Sequence, residues 1–503
     1  MTDVTHDVKD DAKPKVSVCI PVYNMAQWLP DAVASVQAQT MQDFEILIWD
    51  DGSTDETNAV ALRLADQDGR IKFTRSEYNE GGGMAFAKMI PKAKGDFILP
   101  FAADDILAPT YIERALTEFA QYPAALMVAC HPAFIDKDGN DYLNMADPRV
   151  HIPPPVNMPR QQFLATLRRG NLYFGVGTYR KECFHTVGMF DNDLQWLSDW
   201  DYYIRILKMA DIRIIEEKLC KYRLHDKALS LITSDKLVRQ AQYVRTVRRR
   251  HYTPTVRKVM IATPFYMGLC FSHYKSSINQ TTNWMSSQNI LWEISDLNGD
   301  SYVDRAKNTL CMKFLESDCT DLLMIDSDMS WDIQGVARIL SFQEDVVAGA
   351  FPMKNAWDRY TGDPEVQDGQ VIGKSLPDGS ALIKARMVAG GFLCIKRHAM
   401  ERFADAYPEN IYFDPAADPE CPSRIYTAFF ECVRHDFQRF GEDAHFSRLC
   451  REANIGLWID PNINFGHYGF KGWYGNWHEQ LKKNRVEAEE KVKQLTKPEE
   501  LVA

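Results

Sequence analysis

Residues 321–331 read DLLMIDSDMSW, a greasy run that ends abruptly in two carboxylates. Leu322, Leu323, Met324 and Ile325 form a short apolar stretch of the kind that fills a fully buried strand. Asp326 and Asp328 follow one residue apart at its exit. Two acids converging at a strand end repel each other unless something positive lies between them. A similar arrangement, GDFILPFAADD at residues 95–105, occurs earlier in the same chain. One run of acids after an apolar strand is a common turn. Two of them raise the question of a repeated fold.

Working outward, strands and helices alternate from Lys15 onward, the signature of a layered α/β domain. KVSVCIPVYN reads as a strand, WLPDAVASVQAQ as a helix, FEILIWDDGSTDE as a second strand breaking into a turn, and ETNAVALRLADQ as another helix. KLVRQAQYVRTVRRRH, residues 236–251, reads as a basic helix, and the pattern then restarts at RKVMIATPFY. The first strand runs into Pro21-Val22-Tyr23 and its later counterpart into Pro264-Phe265-Tyr266. Each half then reaches a strand exiting into acids, Asp104 or Asp328. Each later opens an amphipathic helix with an acid, in SDWDYYIRILKMA and GEDAHFSRLCREA, and closes on a histidine, in YRLHDKALS and NFGHYGFKGW. From helix acid to histidine is 26 residues in the first half and 24 in the second. The same four features in the same order twice point to a duplicated fold. The expected division is a disordered tail over 1–14, a domain over 15–234 and a basic helical linker over 235–255. A second domain over 256–480 and a charged helix or tail over 481–503 complete it.

At 503 residues, two or three domains are the natural expectation. With 45% hydrophobic and 25% charged residues the composition is that of a folded globular chain. A formal charge of −11 supplies no global field for nucleic acid. The basic segment RTVRRRH leaves contact with an anionic acceptor open, although a solvated helix accounts for it. No apolar run approaches the roughly 20 residues that span a bilayer, and the acidic start lacks the pattern of a signal peptide. The 11 cysteines form no paired framework, which suits reduced core residues of a cytoplasmic protein. Oligomeric state is not legible.

The acid pairs suggest a hard divalent cation, since Mg²⁺ or Mn²⁺ typically takes one or two carboxylates plus substrate phosphates. A distant histidine in the shell favours Mn²⁺. Asp199 and Asp443, at helix starts, suit either a capping role or a general base that takes a proton from an attacking hydroxyl.

These motifs together resemble a known family. CIPVYN, DDGSTDET, NEGG, GDFILPFAADD, SDWDYYIRI and YRLHDKALS resemble, in order, a glycosyltransferase family 2 domain of the GT-A fold over roughly residues 15–230. ATPFY, DRAKN, IDSDMSW, GGFLCIKR, GEDAHFSRL and GHYG resemble a more divergent GT-A domain over about residues 256–477. The fold this implies is α/β: two consecutive GT-A domains, each a Rossmann-like mixed sheet flanked by helices, joined by a helical linker.

The resemblance implies a role for each matching position. Pro21, Tyr23, Asp51, Lys88 and Asp105 would border the nucleotide sugar, with Asp51 accepting a base N–H. Asp104 would hold the metal, His225 would bind metal or diphosphate, and Asp199 would be the base. In the second half Thr263 and Tyr266 would border the nucleotide. Asp326, Asp328 and His467 would hold ribose and metal, and Asp443 would be the base. Arg305 and Lys307 would neutralise the diphosphate, unless they are ordinary surface charges. The family's usual acid is replaced by Ala102, and the second half has no recognisable counterpart of DDGS. The implied protein is a bifunctional, inverting, Mn²⁺- or Mg²⁺-dependent glycosyltransferase. It would use a nucleotide-sugar donor, a UDP-sugar first, and a glycan or other hydroxyl-bearing acceptor on protein, lipid or nucleic acid. The alternative is a single catalytic C-terminal domain beside a degenerate N-terminal scaffold.

Overall fold

The computed structural model describes residues 13–144, 158–169, 171, 176–227, 234–252, 254–265, 270–298, 300, 302–354, 356–413, 425–435, 438–468 and 472–475. The chain divides into two compact units. One comprises Met1–Lys236 with Tyr243–Val247, the other Leu237–Gln242 with Arg248–Ala503.

The first unit is built on an eight-stranded sheet. Its strands are β1 (Val16–Val22), β2 (Phe44–Asp50), β3 (Ile71–Arg75), β4 (Phe97–Pro100), β5 (Ile106–Leu107), β6 (Ala125–Ile135), β7 (Val176–Arg180) and β8 (Asp211–Arg223), in the order β3-β2-β1-β4-β7-β6-β8-β5. β1 lies parallel to β2 and β4, β7 runs antiparallel to β4 and β6, and β8 is parallel to β6. The continuous apolar reading of β1 and β2 follows from this position. Central strands covered on both faces have no solvent side to mark with polar residues. Helices α1 (Leu29–Gln37), α2 (Thr57–Gln67), α3 (Gly82–Met89), α4 (Tyr111–Gln121), α5 (Arg160–Arg169), α6 (Cys183–Thr186) and α7 (Ser198–Met209) accompany the sheet. Leu29, Ala32, Val33 and Val36 of α1 pack with Val18, Ile20 and Ile48 in the main core of this unit. That i, i+3, i+4, i+7 spacing is the apolar stripe of a surface helix.

Helix α8 (Ser234–Tyr252) contributes residues to both units. In the second unit β9 (Lys258–Phe265), β10 (Leu291–Asn298), β11 (Asp321–Ile325), β12 (Met329–Trp331) and β13 (Val346–Gly349) are joined by α9 (Ser272–Ser287), α10 (Val303–Glu316) and α11 (Ile333–Ser341). The main sheet runs β10-β9-β11, then Phe392–Lys396, then β13, Leu457–Asp460 and Ala381–Met387. β10, β9 and β11 are parallel. Phe392–Lys396 opposes both β11 and β13, and Leu457–Asp460 is parallel to β13. Helices α12 (Arg397–Ala406) and α13 (Glu442–Glu452) complete the unit.

Six strands of each sheet follow one path. β2-β1-β4-β7-β6-β8 in the first unit and β10-β9-β11-(Phe392–Lys396)-β13-(Leu457–Asp460) in the second share order and direction. The acids after β4 and after β11 therefore leave corresponding strands. In open α/β sheets ligands bind beyond the carboxyl ends of such strands. Among the described residues no helix is long and apolar enough to cross a membrane, and the described cysteines are free thiols, most of them buried.

Candidate active sites

In the first unit β1 delivers Pro21, half-buried, and Tyr23, 40% exposed just beyond the strand. Asp51 follows β2 and is buried, with its carboxylate accepting the backbone N–H of Gly81 at 2.8 Å and of Glu80 at 3.1 Å. These amides occupy the groups expected to read a base, so Asp51 here pins the glycine-rich turn ahead of α3. Lys88, on α3, pairs with Glu80.

Asp104 accepts a hydrogen bond from His225 Nε2 at 2.8 Å. The imidazole is buried against Trp28, with ring centroids 4.1 Å apart, and its Nδ1 accepts the backbone N–H of Lys227 at 3.1 Å. An Nδ1 that accepts leaves the ring proton on Nε2, which then has no lone pair for a metal. In this structure His225 orients Asp104 through its Nε2 proton, the form of the ring that donates at Nε2. Asp105 is buried, its carboxyl pushed well up by burial and by Asp104, and it accepts the backbone N–H of Arg223 at 3.0 Å.

Asp199 sits in the first turn of α7. Its Oδ1 accepts the backbone N–H of Trp200 at 2.7 Å and Asn171 Nδ2 at 3.1 Å. Burial pushes the carboxyl up to about 6, against the pull of those two donors. Among the described residues Oδ2 has no hydrogen-bond partner. Asp199 lines a cavity of about 320 Å³ together with Gly81–Gly83, Ala102, Asp105, Gln195 and Trp196. Ala102 is exposed at this wall, where the family pattern places an acid. Asn171, Gln195 and Trp196 were not legible as site residues, because no motif surrounds them.

In the second unit Asp326 and Asp328 leave β11 as expected, and the positive charges beside them are lysines. Lys354 pairs with Asp328, while Lys307, on α10, is 2% exposed and reaches Asp443 Oδ1 at 2.8 Å and Glu442 Oε1 at 3.3 Å. Burial alone would push the Lys307 ammonium down, but Asp443, Asp326 and Glu442 together hold it above its ordinary value. Burial likewise pushes Asp326 up to about 6, opposed by Lys307 and reinforced by Asp328. Asp443 Oδ2 accepts the backbone N–H of Gly390 at 2.9 Å, so both oxygens of the expected base are engaged. A Cβ on Gly390 would fall 2.5 Å from Lys307 Nζ and 2.6 Å from Asp443 Oδ1, so glycine makes room for the ion pair.

Two carboxylate oxygens in this site, Asp326 Oδ1 and Asp328 Oδ1, are buried without hydrogen-bond partners among the described residues. His467 Nε2 lies 3.6 Å from Asp328 Oδ1, and its Nδ1 donates to the Pro352 carbonyl at 2.9 Å. That hydrogen bond leaves a lone pair on Nε2, as a metal-binding histidine requires. Burial also lowers the His467 pKa and favours the neutral ring. Orphaned oxygens plus a ligand-ready imidazole fit a divalent cation. Thr263 is fully buried, with its hydroxyl 2.6 Å from Tyr274, and so does not border an open nucleotide site. Arg305 is committed to Asp300 through contacts of 2.8 and 3.0 Å. Tyr266 lies outside the described residues. Elsewhere in the unit Glu293, Asp318 and Cys319 cluster within 4.8 Å, but Lys258 already bridges the two acids.

Residues 17–188 match the family described as Glycosyl transferase family 2. An uncharacterized glycosyltransferase of Rickettsia typhi is 28% identical over 214 residues, covering 42% of this chain and 65% of that protein. One from Bacillus subtilis is 26% identical over 232 residues, 44% of this chain and 64% of that one. The chain thus spans just under two thirds of the length of these relatives. A mannosyltransferase from Pyrobaculum calidifontis, solved with GDP-Man and Mn²⁺, overlaps 48% of this chain and 64% of its own at 16% identity, with a TM-score of 0.36.

Proposed function

Because its N-terminal half carries a glycosyl transferase family 2 domain, we propose that this protein moves a sugar from a nucleotide-sugar donor to an acceptor hydroxyl, with Asp199 as the base. Asp199 is the observation that carries this reading. Its carboxyl sits at about 6, one oxygen is fixed by two N–H donors, and the carboxylate lines a cavity. A base poised near the working pH is ionised yet still takes a proton well. Oδ2 accepts the hydroxyl proton as the acceptor oxygen bonds to the anomeric carbon. The bond from that carbon to the diphosphate breaks, and the nucleoside diphosphate leaves with the electron pair. Attack opposite the leaving group inverts the anomeric configuration.

A divalent cation, Mn²⁺ or Mg²⁺, would supply charge for the departing diphosphate when bound. Asp104, held by His225, is the residue of the first unit that would hold it. Asp326, Asp328 and His467 would do so in the second. We assign the second unit a nucleotide-sugar site of its own, supported by its orphaned carboxylate oxygens and the shared sheet path. Transfer there requires Asp443 to release Lys307 before it can act as a base. That requirement favours a reading in which the second unit binds a nucleotide sugar while the first performs the transfer.

The test is nucleotide release from a panel of UDP- and GDP-sugars, with wild type and Asp199→Asn compared and UDP and GDP binding measured by calorimetry. Lost transfer with retained nucleotide binding supports the assignment. Wild-type transfer in Asp199→Asn would overturn it.

A further inference from the structure

Gln195 has φ 48° and ψ −118°, inside the single 3₁₀ segment Asn192–Leu197 that it breaks in two. A side chain with a Cβ is strained in that region, whereas glycine adopts it freely. The strained residue is exposed, lines the cavity, and stands four positions before Asp199. Trp196 follows it on the same wall, with its ring packed edge-on to Tyr243 at 5.3 Å. Phe86 and Phe190, 5.9 Å apart, add a second aromatic surface.

The cavity holds about 320 Å³, the low end of the ~300–1,000 Å³ of small-molecule sites. That volume suits a ring or two, not a polymer surface or a folded protein. Its walls alternate aromatic rings with carboxylate and carboxamide groups. A pyranose has the matching chemistry: apolar C–H faces that lie on aromatic rings, and a rim of hydroxyls that donate to planar oxygens. A lipid chain would leave the polar groups of the wall desolvated and unpaired, at a cost.

We infer that the acceptor bound beside Asp199 is a pyranose sugar, and that Gln195 selects it by presenting its carboxamide to an acceptor hydroxyl. The inference rests on the glycosyltransferase reading of this same site. Gln195 lines the cavity from a strained backbone position, so relieving the strain and losing the carboxamide have separable effects. Gln195→Gly removes both. Gln195→Ala removes the carboxamide and keeps the strain.

The experiment uses the full chain with UDP or GDP, whichever binds, and saturation-transfer NMR with methyl hexopyranosides, glycerol and n-octanol as probes. At least one methyl hexopyranoside is expected to bind, with glycerol and octanol silent. Both variants should weaken that probe by about 5–10-fold, the scale of one lost hydrogen bond, and leave nucleotide affinity unchanged. Gln195→Gly alone should raise the melting temperature, by about 2–8 °C. Equal pyranoside affinity in both variants and wild type overturns the role of Gln195. A response from octanol or glycerol without one from any pyranoside overturns the sugar acceptor. If neither nucleotide binds and no nucleotide sugar is consumed, the glycosyltransferase reading itself fails and takes this inference with it.

Discussion

Asp199 and Asp443 open corresponding helices, α7 and α13, yet their surroundings make them opposites. Asp199 has a neutral carboxamide and a backbone amide on one oxygen, no partner at the other among the described residues, and a place in a cavity wall. Asp443 has a buried ammonium on one oxygen and a backbone amide on the other. The histidines diverge as well. His225 spends its Nε2 proton on Asp104, whereas His467 turns its proton to a backbone carbonyl and keeps the Nε2 lone pair toward Asp328. Position on a sheet therefore does not determine chemistry. The first unit sets a buried carboxyl with a raised pKa beside a cavity, and the second gathers a nest of charge that suits a cation.

The largest effect that would break this contrast is on transfer. Asp199→Asn should lower the rate by ~10²–10⁴, the usual scale of general-base catalysis, with nucleotide binding intact by calorimetry. It should not destabilise the first unit at neutral pH, because the substitution removes a carboxylate that burial disfavours in its charged form. An unchanged rate would reduce Asp199 to a helix-start acid like any other.

Lys307→Met should act on stability in the second unit. Removing one partner of a buried ion pair typically costs about 3–5 kcal/mol, and Lys307 is 2% exposed among three carboxylates. Hydrogen exchange should speed up in α10 and α13 and stay unchanged in α7. Asp443→Asn should cost less, since Glu442 and Asp326 still face the ammonium. Equal exchange in wild type and Lys307→Met would mean the pair is not formed.

Metal titration sharpens the contrast further. Calorimetry with Mn²⁺ should show two binding events, and Asp328→Ala should remove the tighter one. Ala102→Asp should strengthen the weaker one by roughly tenfold, because a carboxylate is added at an exposed wall position near Asp104. No change in either variant would leave the acids without a cation.

The smallest effect is on pH dependence. Transfer should rise with pH through about 6 as Asp199 loses its proton. Asn171→Leu deletes a donor that favours the ionised form, so this acidic limb should move to higher pH. Linkage has the opposite sign for stability. The folded carboxyl holds its proton above the unfolded range near 4, so Asp199 contributes stability at low pH that is lost as pH rises through about 6. A limb that stays in place in Asn171→Leu would show that Asn171 does not tune the base.

Much of the architecture was readable in advance. Apolar runs such as VSVCIPV and DLLMI report their own burial, because a strand covered on both faces needs apolar residues at successive positions. The four-part repeat was legible for the same reason, each part being a short local pattern. The site was legible only in part. Lys307 reads as a surface or diphosphate-binding cation in DRAKN, yet its partners come from α13, 135 and 136 residues away. The family resemblance reads Thr263, in ATPFY, as a nucleotide contact, but its hydroxyl is paired with that of Tyr274.

Sequence alone settled which residues could carry charge, where apolar strands would end, and that the pattern occurs twice. Tertiary structure alone decided which of those charges meet. A histidine's tautomer depends on whether a backbone N–H or a carbonyl lies beside Nδ1, as Lys227 and Pro352 show for His225 and His467. The strained φ of Gln195 and the approach of Lys354 to Asp328 are equally non-local. Hydrophobic patterning is written residue by residue along the chain, whereas electrostatic partnership is a property of distances, and those exist only once the chain has folded.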